Sequence, residues 1–263
     1  MSSDQIQWTG ATTDVTEAPI GYRVVVFAYG LLAYAAFLGA FLYLIGFVAG
    51  FGVPKTVDDG APGPAAASIA LDHALIALFG VQHSVMARPA FKRIWTRIVP
   101  LAAERSTYML VACACLALLY WQWRPLPELV WQAPAGVAPA IWALAALGWA
   151  TALAATFAID HFDLFGLRQT LRFATGRVYR PPVFRERLLY RMVRHPLMLG
   201  FLIAFWAAPA MSRGHLLFAG AMTAYVLLAL VVEERTLVEL HGEAYLDYRR
   251  RVPKLIPGMR RRP

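Results

Sequence analysis

Apolar residues arrive in this chain in blocks of about the length a bilayer demands. A helix needs roughly 20 such residues to cross the hydrocarbon core, where its backbone polar groups must be satisfied internally. Segments near 24–47, 68–86, 106–122, 138–158, 196–210 and 214–232 meet or approach that length. The fifth is short and contains Pro209, so the last two read as a tight hairpin, with a full fifth span left open. Only 16% of the 263 residues are charged and 59% are hydrophobic, where a soluble domain carries roughly a quarter charged residues. The expected fold is all-α, a polytopic transmembrane bundle of about six spans. Residues 1–21 form a polar N-terminal segment without a signal-peptide pattern; residues 22–263 read as one integral-membrane domain with a cytoplasmic C-terminal tail.

The net charge of +9 raises the question of nucleic acid, and its distribution answers it. Of 25 Lys and Arg, five lie in 87–105, eight in 160–195 and eight in 233–263. The loops at 48–67, 123–137 and 211–213 hold one each. Basic loops alternating with poor ones follow the positive-inside rule. Both termini are therefore expected in the cytoplasm, in contact with anionic lipid, with no nucleic-acid partner. Cys113 and Cys115 lie two residues apart on one helix and point about 200° apart, which excludes a disulfide or a shared metal. No His pair has the i,i+3 or i,i+4 spacing of a helical metal site, and neither a Walker loop nor a G-x-G-x-x-G fingerprint occurs. No metal is expected.

Polar residues in or beside the spans carry the chemical signal, because ionisable groups there are expensive and usually face protein or water. Asp72 and His73 lie near the outer end of the second segment, where water is expected to reach them. Gln82-His83-Ser84 falls near its cytoplasmic end. Asp160-His161-Phe162-Asp163 closes the fourth segment, with two acids and an imidazole concentrated at one helix end. Glu186–Met192 reads as a short surface helix carrying Tyr190. Arg194-His195-Pro196-Leu197-Met198-Leu199-Gly200 then stands where basic and apolar stretches meet. Arg and His side by side can clamp a carboxylate. Pro196 suits a first helical turn, and Gly200 admits a close neighbour. Glu233-Glu234 follows one helical hairpin later and can hold hydroxyls or a positive centre. This set suits a small zwitterionic cofactor at the cytoplasmic mouth of the bundle. Gly242 is placed to bend the tail, which can fold back over the site.

These motifs resemble the isoprenylcysteine carboxyl methyltransferase superfamily: Arg194-His195-Pro196 through Gly200, then Glu233-Glu234, Gly242, Tyr245, Tyr248, Val252-Pro253 and Pro257. Gln82 to Arg88, continuing to Glu104-Arg105-Ser106-Thr107-Tyr108, and Asp160 to Gln169 are similar to the bacterial methanethiol S-methyltransferases, neighbours of the NnrU-like membrane proteins. The likeness covers roughly 70–257. It implies S-adenosylmethionine as cofactor, with Tyr190, Arg194, His195, Pro196, Leu197, Gly200, Glu233 and Glu234 around it. It also implies a small volatile thiol as acceptor, dimethyl sulfide as product and the bacterial inner membrane as location. Candidates for handling the thiol are His161, Asp163 and His83, in that order. Met198 departs from the Tyr often found two residues after the Pro. Two alternatives stay open: a larger, isoprenylated or lipid acceptor, and a non-catalytic NnrU-like accessory protein.

Overall fold

A computed structural model describes residues 18–181 and 186–258. Most of the polar segment 1–21, and Arg185 of the basic stretch, therefore lie outside the described residues. The described elements, in order, are helices α1 (Ile20–Ala49), α2 (Ala65–Met86), α3 (Pro89–Trp95) and α4 (Leu101–Gln122), strand β1 (Leu129–Gln132), helices α5 (Ala138–Ile159), α6 (His161–Leu164), α7 (Leu167–Ala174) and α8 (Pro196–Trp206), strand β2 (Ala210–Ser212), and helices α9 (Arg213–His241) and α10 (Glu243–Arg251). Among the described residues five helices, α1, α2, α4, α5 and α9, are long and apolar enough to cross a membrane. The helical membrane bundle is as the sequence implies. About six spans are expected from the sequence; the sixth candidate, α8, has 11 residues, about 16 Å at 1.5 Å per residue and too short to cross alone. Strand β2 after it nevertheless pairs with β1 before α5, so α8 with its flanking residues returns the chain to the side from which α5 starts.

The chain divides into two compact units. Unit one comprises Met1–Phe41, Phe79–Leu116 and Asp160–Arg185; unit two comprises Leu42–Leu78, Ala117–Ile159 and Glu186–Pro263. In unit one Met86, Tyr108, Met109 and Phe165 form a core cluster against Tyr34, Phe37, Phe91 and Trp95. Gly166 (φ 87°) turns the chain between α6 and α7. A Cβ there would lie 2.8 Å from the Ser106 backbone nitrogen, so glycine is required both for the conformation and for the approach to α4.

Unit two is organised around an aromatic core in which Phe218 packs edge-on against Phe47, Trp123 and Phe205. Helices α5 and α8 meet through glycine: a Cβ on Gly200 would fall 2.5 Å from the Ala152 nitrogen, and one on Gly148 2.7 Å from the Ala204 nitrogen. Small residues let two backbones approach where lipid gives no hydrophobic drive for association. Strands β1 and β2 pair antiparallel through Leu129–Ser212, Trp131–Met211 and Gln132–Ala210, an element the sequence reading did not anticipate. Asp72 also differs from expectation. It is fully buried, not washed by water, and its carboxylate accepts a hydrogen bond from the Arg124 backbone N–H at 3.0 Å.

Candidate functional site

Arg194 and His195 sit at the entrance to α8, where Pro196 occupies the first turn without forfeiting a helical hydrogen bond. The neighbouring main chain is fixed from the C-terminal side: Arg194 N donates to Pro253 O at 2.9 Å and His195 N to Lys254 O at 3.2 Å. The tail reaches them because Gly242 (φ 54°) ends α9 and starts α10 in a conformation that favours glycine. The bend expected at Gly242 is present. Tyr190 lies on a short 3-10 turn, Leu188–Arg191, and its carbonyl accepts the Tyr248 hydroxyl at 2.6 Å.

The side chains converge on Glu234. Arg194 Nε donates to its Oε1 at 2.9 Å, Arg194 Nη2 lies 2.8 Å from the same oxygen, and His195 Nε2 donates to it at 3.2 Å. Lys254 Nζ stands 3.2 Å from Oε2. Arg194 Nη1 donates to the carbonyls of Arg249 and Val252 at 2.8 and 2.9 Å. A guanidinium has five N–H donors, so these contacts leave Arg194 one. Its chief work in this structure is to join α8, α9 and the end of α10. The next carboxylate, Glu233, is 47% exposed, with Oε2 3.9 Å from His195 Nδ1. Tyr245 and Tyr248 are buried beside this network, and burial is the first cause raising both phenols well above their usual range. Leu197 is half-buried and Gly200 is buried against Ala152.

His161, Asp163 and His83 belong to unit one. Asp160 caps the single turn of α6 by accepting from the Asp163 N–H at 3.3 Å, and pairs with Arg168 at 2.6 Å. His161 is then buried against the rings of Phe165 and Phe37, with Nε2 2.8 Å from the Tyr34 hydroxyl. Burial pulls its pKa below the ordinary imidazole value, opposed by the Asp160 carboxylate. Asp163 is raised by burial, against the lowering influence of a Tyr179 hydrogen bond and Arg105. Gln169 Nε2 donates to the Tyr179 hydroxyl at 3.2 Å and to the Asp163 carbonyl at 3.1 Å. Arg105 Nε donates to the Leu164 carbonyl at 2.9 Å. The His83 ring lies between Phe79 and Tyr108, and its Nδ1 is buried with no hydrogen-bond partner among the described residues.

Within unit two the structure thus joins Tyr190, Arg194, His195, Pro196 and Glu234, with Glu233 at the rim. Within unit one it gathers His161 and Asp163 on one helical turn. Lys254, Tyr34 and Tyr179 were missed as site residues. Lys254 stood in a run of basic residues that topology alone explains, and Tyr34 was one aromatic among many in α1. Tyr179 was hidden between arginines.

The profile of the NnrU protein family matches residues 73–244. A protein of Bradyrhizobium diazoefficiens named methanethiol S-methyltransferase 2 is 52% identical over 237 residues, 90% of this chain and 92% of its own length. The methanethiol S-methyltransferase of Mycobacterium tuberculosis is also 52% identical, over 89% of this chain and 97% of its own. Methanethiol S-methyltransferase 1 of B. diazoefficiens is 46% identical over 91% and 84%. With a family match over most of its length, the chain belongs to the NnrU family, and across about nine-tenths of it the chain is similar to proteins named methanethiol S-methyltransferase.

Proposed function

We propose that this protein is an integral-membrane S-methyltransferase that transfers a methyl group from S-adenosylmethionine to methanethiol, giving dimethyl sulfide. The observation that carries the reading is the pair of 52% identical relatives bearing that name over nearly their whole lengths. The residues around α8 fit the donor. One exposed carboxylate (Glu233), an imidazole (His195), a partly exposed ammonium (Lys254) and one remaining guanidinium N–H suit a zwitterion carrying a carboxylate, an ammonium and hydroxyls.

When bound, S-adenosylmethionine supplies an electrophilic methyl on a sulfonium whose leaving group is neutral, so no acid is needed for departure. The chain's own work is chiefly positioning. His195 and Lys254 would hold the methionyl carboxylate and Glu233 the ammonium or ribose hydroxyls, while the Arg194–Glu234 pair ties α8, α9 and α10 together. The thiol must lose its proton, since the thiolate is the nucleophile. An ordinary Cys thiol titrates at about 8.5, and a simple alkyl thiol is no more acidic. We assign the proton to His161, which burial keeps neutral and able to accept it; Asp163 and His83 are the alternatives. Tyr34 fixes the His161 ring. Residues 22–263 act as one methyltransferase domain in a bacterial inner membrane, with the basic loops and the cofactor site on the cytoplasmic face.

The test uses purified protein in detergent with S-adenosylmethionine and methanethiol, following dimethyl sulfide in the headspace beside a His195→Ala variant. Dimethyl sulfide from the parent, reduced at least tenfold in the variant, is expected. Donor binding without product would move the acceptor to larger thiols or lipids. Neither binding nor product would sink the enzymatic reading.

A further inference from the structure

At the end of α8 remote from His195, unit two forms a partly open cavity of about 250 Å³. It falls below the roughly 300–1,000 Å³ of pockets that take drug-sized ligands, yet it is far larger than the roughly 30 Å³ share of one water. Trp142 and Trp149 of α5, with Ala145 and Ala207, give it apolar walls. Its polar lining includes His215 and Asp58.

The His215 side chain has a defined chemistry. It is buried at 3% exposure, and its Nε2 donates to the Phe205 carbonyl at 2.8 Å. A carbonyl accepts only, so the neutral ring carries its proton on Nε2 and presents Nδ1 as a lone pair. The hydrogen bonds of His215 among the described residues are made by its backbone N–H and by Nε2, and none is made at Nδ1. Asp58, exposed and hydrogen-bonded to Ser212, adds a carboxylate to the lining. A ring-nitrogen acceptor, aromatic and methyl walls and a carboxylate favour a small, mostly apolar molecule that carries a hydrogen-bond donor, and disfavour an anion.

We infer that this cavity is a second binding site, for a short-chain thiol in its neutral S–H form. The name of the ligand rests on the proposed activity; its size, charge and donor character rest on the cavity. The group placed to receive the S–H is His215 Nδ1, and the walls between Trp142 and Trp149 surround the alkyl end. A long-chain thiol or a lipid does not fit the volume, and a thiolate is turned away by Asp58.

The experiment is a tryptophan-fluorescence titration of the whole protein in detergent, without a methyl donor, using methanethiol, dimethyl sulfide and decanethiol as separate probes. Expected is saturable quenching by methanethiol that is lost when Trp142→Phe and Trp149→Phe are combined. Ala145→Leu and Ala207→Leu, which fill the cavity, should each weaken half-saturation at least tenfold while thermal melting shows both folded. Dimethyl sulfide, lacking a donor, should bind several-fold more weakly, and decanethiol should not saturate. Linear quenching, or unchanged half-saturation in both folded variants, overturns the site. Equal binding of methanethiol and dimethyl sulfide overturns the donor-bearing ligand. Methyl transfer measured on the same preparation separates the two readings: saturable quenching without product refutes the activity and leaves the cavity.

Discussion

Arg194 shows how far one side chain reaches when all but one of its donors are placed. The sequence put it in a clamp on position alone. The structure spends four of its five N–H groups on Glu234, Arg249 and Val252, so removing the fork leaves a buried carboxylate and two carbonyls short of partners. Breaking such a pair costs about 3–5 kcal/mol. Arg194→Lys, with one point charge on a flexible stem, should therefore lower the melting temperature by several degrees or more in detergent, with methyl transfer falling alongside. An unchanged melt would refute the framing role. His161 gives a prediction of opposite character. Its folded pKa lies below the ordinary value of 6.5, so the ring is neutral at pH 7 and protonates only in more acidic solution. As the assigned base, it should give an acid limb in kcat/KM below pH 6.5, absent from the residual activity of His161→Gln. Stability follows the same sign. A depressed folded pKa contributes in full above the unfolded value and is lost as pH falls, so acid should cost the parent more than the variant. Asp163, raised on folding, works the other way: its contribution is lost as pH rises through the raised value.

At the scale of elements, the length of the apolar blocks located the five long helices because a bilayer leaves the backbone no other option. It could not fix α8, whose 11 residues are apolar yet too few to cross, since hydropathy reports burial and not what does the burying. Nor could it find β1 and β2. Leu129–Gln132 is exposed along its whole length, so no alternation marks it; the strands follow from Pro209, Arg213 and Gly214 meeting Ala133, Glu128 and Leu126 through the backbone. What α8 lacks in length it gains in closeness to α5. Gly200→Ala would set a methyl 2.5 Å from the Ala152 nitrogen, so the helices must part. Overpacking costs about 1–3 kcal/mol, and the displaced α8 carries His195 at its N-cap. The variant should melt lower and lose activity more than a surface Ala substitution does. A Gly200→Ala protein with parental melting and turnover would mean the two helices have slack that the contact distances deny.

At the scale of the whole molecule, the charge pattern was legible because it reflects insertion and not packing: 21 of 25 basic residues fall in alternate loops. The candidate cofactor constellation was half legible. Arg194, His195 and Glu234 stand out as polar groups beside apolar runs, whereas Lys254 acquires meaning only when Gly242 turns the tail back to Glu234. The same charge pattern makes a test that needs no activity. Ala135 is exposed in a loop region that carries one basic residue, and Glu243, with an 85% exposed side chain, follows α9 in a region that carries eight. In a background with Cys113 and Cys115 changed to Ala, Ala135→Cys should react with a membrane-impermeant maleimide added to intact cells. Glu243→Cys should react only after the membrane is opened. Both positions sit outside helices that span, so neither change threatens the core. The reverse labelling pattern would turn the protein over in the membrane and place the Arg194–Glu234 site outside, away from any cytoplasmic methyl donor. That would contradict the activity as well as the orientation.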